Sequence, residues 1–95
     1  VAHTFEELIE KQRAADEAHL RVEDLRDQYG PPAQHPWTGH QTEVYETAWR
    51  AWRDLARDVQ QSVTEFAQEQ GTARNQVEDD VKKAVRHPGG PSAEP

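Results

Sequence analysis

Apolar residues recur along this chain at spacings of three and four, and nowhere alternate with period two. The pattern predicts helices and no strands. The first stretch carries Phe5, Leu8, Ala15, Val22 and Tyr29 on one seam, with Ile9 and Leu25 beside it and two polar residues, Gln12 and His19, on it. Thr4 and Glu7 have the spacing of a capping box. Gly30, Pro31 and Pro32 end the element, since glycine accepts a left-handed cap and proline cannot continue a helix. Helix 1 is therefore expected over residues 4–29, roughly 40 Å at 1.5 Å per residue. Threes and fours with a slow drift suit antiparallel, coiled-coil-like packing.

Residues 30–37 read as a stiff, proline-rich connector. Thr38 and Gln41 then offer a second capping box. No proline follows until Pro88, and Gly71 is the sole candidate break. At about 100° per residue, Tyr45, Trp49, Trp52, Ala56, Val59, Val63 and Phe66 share one side, and Ala73, Val77, Val81, Ala84 and Val85 fall on that same side. A mid-helix glycine costs only about 1 kcal/mol against alanine. The unbroken phase thus predicts one helix over about 39–86, with a kink at Gly71 as the lesser possibility.

Such a helix would be roughly 70 Å long against roughly 40 Å for helix 1. Its far end, with Val77, Val81 and Val85, would have no cover within one chain. The sequence therefore predicts an all-α protein: an antiparallel helical hairpin with a long second helix over residues 1–87, dimerising into a four-helix bundle, and a disordered tail over 88–95. The candidate interface is Tyr45, Trp49, Trp52, Val59, Val63, Phe66, Val77, Val81 and Val85. For the aromatic residues core packing is the first expectation, and an anchor patch for a different protein the alternative.

Composition narrows the function classes. A third of the 95 residues are hydrophobic and nearly a third charged, enough for a small core but not a large one. The net charge of −7 argues against nucleic-acid binding, which needs compensating cations. No run approaches a membrane span, and the acidic, amphipathic N-terminal segment is unlike a signal peptide. A cytoplasmic location is the simplest expectation, with secretion without a cleaved signal as the alternative. Arginine outnumbers lysine, as in proteins of GC-rich bacteria. The absence of cysteine removes disulfides and thiolate metal sites.

Trp37-Thr38-Gly39 lies in the connector between the two expected helices, with Tyr45 and Trp52 following in helix 2. In this the chain resembles the WXG100 (ESAT-6-like) proteins, whose two antiparallel helices are joined by a Trp-x-Gly turn and which leave the cell by type VII secretion as dimers. The resemblance implies that Trp37 and Gly39 form the turn, with Tyr45 and Trp52 packed beneath it. That family's Tyr-x-x-x-Asp/Glu export signal has no counterpart: Ala33 stands four residues after Tyr29 and Trp49 four after Tyr45.

No pattern of catalytic residues emerges. His35, His40 and Glu43 surround the tryptophan turn but match no metal-binding spacing. There is no Glu-x-x-His pair of the di-iron type. Ser62 lies in mid-helix with no base in reach of its turn, and no glycine-rich loop opens a helix. Several carboxylates sit four residues before a cation, the spacing of a solvated helix face: Glu7 with Lys11, Glu46 with Arg50, Glu78 with Lys82 and Asp79 with Lys83. His19 is a candidate interface histidine. The expected function is that of a non-catalytic helical protein that works through protein–protein contacts, without cofactor or metal, as a homodimer or with a further protein partner. The alternative is a WXG100-like secretion substrate or its dimer partner.

Overall fold

A computed structural model describes residues 3–86, and the expectation for residues 88–95 lies outside them. Among the described residues there are three helices and no strands: α1 (Phe5–Tyr29), α2 (Gly39–Gln70) and α3 (Arg74–Arg86). The all-α class holds. The single helix over 39–86 does not: the chain breaks at Gly71 and folds back.

Local chemistry sets the first ends much as expected. The Thr4 hydroxyl accepts the Glu7 amide at 3.1 Å, but the Glu7 carboxylate does not complete the box and lies 3.7 Å from His3 instead. At α2 the box is complete: Thr38 accepts from the Gln41 amide, and the Gln41 side chain accepts from the Thr38 amide. Gly30 ends α1 at φ 74°, ψ 175°, an extended, positive-φ conformation that essentially only glycine occupies.

α1 and α2 lie side by side in opposite directions. Phe5 meets Phe66, Lys11 meets Asp58, His19 meets Trp52 and Arg26 meets Tyr45. As one partner advances along the sequence the other retreats, which is antiparallel packing. The short connector imposes it.

At the far end of α2, Gly71 takes the left-handed conformation, φ 65°, ψ 30°. Its amide donates to Gln68, and the Thr72 amide reaches back to Ala67 at 3.0 Å. This is a Schellman cap, which closes the last turn and satisfies carbonyls that the helix end would strand. The longest dimension of the molecule is 49 Å, the length of α2 alone. α3 turns back along the pair and lays Val77 and Val81 against Leu8, Ala15, Val59, Val63 and Ala67. Val85, Phe5, Leu55 and Phe66 pack around that cluster.

This corrects two readings. Val77 and Val81 are 3% and 1% exposed within a single chain, so the uncovered valines that motivated a dimer are covered by the chain itself. Val59 and Val63, also expected at an interface, are core residues. An apolar phase specifies which side chains must leave water, not what covers them. A straight helix and a folded-back one ask the same valines to be buried. Folding back does so without the translational and rotational loss of recruiting a second molecule.

Candidate functional site

α3 is 13 residues long and α2 is 32, so the third helix covers only part of the antiparallel pair. Every buried residue of α2 (Val59, Ser62, Val63, Ala67) lies in its C-terminal half. Its N-terminal half faces the C-terminal half of α1, and among the described residues no third helix covers that half. The tryptophans and tyrosines gather in this open half, while Phe5 and Phe66 meet at the other end.

The wall of the open half is built in steps. Nearest the connector, the Trp37 indole N–H donates to the Gly30 carbonyl at 2.8 Å. Its ring stands edge-on to Tyr29 and to Tyr45, with centroids 5.5 and 4.9 Å away. One more step along, Arg26 donates to the Tyr45 hydroxyl at 3.3 Å. Arg26, Tyr45, Trp37, Pro31 and Pro32 border an open concavity of about 640 Å³. Further down, Trp49 stands edge-on to Trp52. Trp52 is half-buried and stacks on His19 with centroids 4.6 Å apart. The Arg53 guanidinium lies over the Trp49 ring, 5.0 Å from its centroid, a cation–π contact.

Trp49 is 38% exposed and Leu20 is 59% exposed; these are the exposed large hydrophobic residues among those described. Isolated exposed apolar residues need no explanation. Leu20 follows His19 on α1 and Trp49 stands edge-on to Trp52 on α2, so both flank the His19–Trp52 stack, and among the described residues no third helix lies over this half.

The sequence-predicted interface residues therefore divide. Tyr45, Trp49 and Trp52 line the open half. Val59, Val63, Val77 and Val81 are interior, and Phe66 and Val85 pack against the interior cluster. Trp37 spans the turn, and Gly39 opens α2 rather than forming the turn itself. Trp52 does not pack beneath the turn; it lies lower, across from His19. His19 is exposed and its imidazole is 3.7 Å from Glu23.

Sequence reasoning missed Leu20, Arg26 and Arg53. Leu20 carried a usable signal, as a leucine outside the seam of its own helix. Arg26 carried none, because its partner Tyr45 lies 19 residues away, whereas Arg53 stands four residues after Trp49, a spacing that puts both on one helix face.

The opposite end of the molecule is tied by ions. The His3 ring meets Glu65, and the His3 amide donates to Glu69 at 3.1 Å. The Glu65 hydrogen bond raises the imidazole above its ordinary value, and the imidazole in turn holds the Glu65 carboxyl below its own. Lys82, with Arg74, likewise lowers Glu78. Among the described residues no three His, Asp or Glu side chains converge on a point that could hold a metal ion, and no helix is long and apolar enough to cross a membrane.

No protein-family model, curated protein or solved structure matches the chain.

Proposed function

We propose that this chain is a non-catalytic interaction protein whose contact surface is the open half of the α1–α2 pair. The observation that carries the reading is the exposure of Leu20 on α1 and Trp49 on α2, flanking the His19–Trp52 stack in the half of the pair that α3 does not reach. Aromatic side chains set in a shallow apolar recess are the usual anchors of protein contacts. The remaining surface is dominated by charged side chains, several in i,i+4 pairs that contribute little energy individually.

The test compares wild type with a Leu20→Glu/Trp49→Glu variant. Both sites are at the surface, so the fold should survive, which circular dichroism would verify. Proteins retained from the native host by wild type and lost by the variant would support the reading. Identical retention by both, with no self-association to account for it, would refute it.

A second reading follows the WXG100-like turn. What favours it is Trp37 bridging the connector to Gly30 and Tyr45, with Gly39 at the first position of α2. On that reading the chain is a type VII secretion substrate or its dimer partner, working as a homo- or heterodimer. Its appearance in culture supernatant, dependent on the secretion ATPase, is the test.

A further inference from the structure

The charges that border the open half are sorted by helix. Asp16 shares a recess with Lys82, Val85 and Arg86, which fixes the edge of α1 that faces α3. Leu20, Glu23 and Asp27 follow Asp16 at four, seven and eleven residues, so they continue that edge beyond the end of α3. On α2, Gln60 and Thr64 bind Arg74 of α3, which fixes the corresponding edge there. Arg57, Arg53 and Arg50 precede Gln60 by three, seven and ten residues and continue it. All six charged side chains are exposed. Beyond the end of α3 the slot therefore has a mainly acidic border on α1, where Arg26 reaches across to Tyr45 and His19 lies beside Glu23, and a mainly basic border on α2, where Glu46 pairs with Arg50.

We infer that the slot receives an amphipathic helix of a different protein, one with an apolar stripe, a basic edge toward α1 and an acidic edge toward α2. This rests on the proposed interaction function and names its partner class. The length fits: from Asp16 to Tyr29 the open stretch of α1 is about 20 Å, room for a helix as long as α3. Such an occupant continues the three-helix packing that α3 begins.

Charge and shape together disfavour a second copy. Two copies facing each other about a two-fold axis have two arrangements. Placing α1 over the partner's α2 matches the charges but brings the two α3 helices onto each other. Placing the copies head to tail moves the α3 helices apart, but sets the Asp16–Glu23–Asp27 border against its own copy and the arginine border against its own copy. Like charges brought together across an interface oppose association.

The test uses a fluorescein-labelled, helix-stapled 14-residue peptide with a leucine stripe, lysines along one edge and glutamates along the other, read by anisotropy against the full chain. The expected result is saturable binding, weakened at least tenfold in an Asp16→Lys/Glu23→Lys/Asp27→Lys variant. A peptide with glutamates on both edges should recover affinity for that variant. The Leu20→Glu/Trp49→Glu variant should bind neither. Equal affinity for wild type and the charge-reversed variant would overturn the inference and leave the contact surface standing. So would light scattering that shows a dimer abolished by Leu20→Glu/Trp49→Glu, which would make the occupant a second copy. Absence of binding by either peptide, with a monomeric chain, also overturns it; retention of host proteins by wild type over the Leu20/Trp49 variant then judges the contact surface separately.

Discussion

Gly71 decides between two structures for the last third of the chain, and the energies on each side can be set against each other. An alanine at φ 65° occupies the left-handed region, at a cost of roughly 1–2 kcal/mol. Space is not the obstacle, since an added Cβ meets nothing within 4 Å. In a continuous helix the same alanine would gain about 1 kcal/mol over glycine. Gly71→Ala thus shifts the balance toward the straight form by about 2–3 kcal/mol. Against that stands the burial of Val77 and Val81, at 3% and 1% exposure, worth roughly 3–6 kcal/mol together as an upper range. The folded-back form should win in the single variant. Gly71→Ala is expected to lower the stability to urea by about 1–2 kcal/mol with an unchanged hydrodynamic radius. Adding Val81→Ala removes two buried methyl groups, about 1.5 kcal/mol plus a cavity contribution, and brings the two forms near balance. The double variant should then show a larger radius by small-angle scattering, because a straight helix from Gly39 to Arg86 is roughly 70 Å long, against a longest dimension of 49 Å in the folded-back molecule. An expanded single variant, or a single variant as stable as wild type, would refute the claim that α3 is held by its own valines against a strained cap.

The His3–Glu65 contact sets a pH window. The raised imidazole contributes stability that is fully present below its unfolded value near 6.5 and is lost as pH rises through the raised folded value; the lowered carboxyl contributes above its unfolded value near 4.5 and is lost as pH falls through the lowered folded one. Urea midpoints of wild type should therefore exceed those of His3→Gln most between these limits and converge toward them on the alkaline side, and parallel curves would refute the assignment. Trp37→Phe keeps an aromatic ring but loses the indole N–H donor to Gly30 and part of the ring's contact area; denaturant unfolding should show a loss of at least about 1 kcal/mol, and a neutral outcome would mean that the bond adds nothing to the turn. Glu78→Gln loses contacts to Lys82 and Arg74, yet these are surface pairs and should cost less than about 1 kcal/mol by chemical denaturation.

Three-and-four spacing was enough to exclude strands and to locate α1 and the start of α2, because helix periodicity, a Thr–Gln capping box and a Gly-Pro-Pro stop are local matters carried within a few residues. The end of α2 was not a local matter. A Schellman cap and a mid-helix glycine present the same letter, and Ala73, Val77 and Val81 hold the same phase either way. The choice at Gly71 depends on whether a surface for those valines already exists within the chain, and Leu8, Ala15, Val59 and Val63 assemble one only once α1 and α2 have paired. The same dependence governs the candidate site. The sequence named Tyr45, Trp49 and Trp52 but not which of the nine interface candidates would stay accessible. Once the far valines are consumed by α3, the surface left for a partner is the stretch α3 is too short to reach, a property of the tertiary packing because exposure is decided by what neighbouring elements leave uncovered.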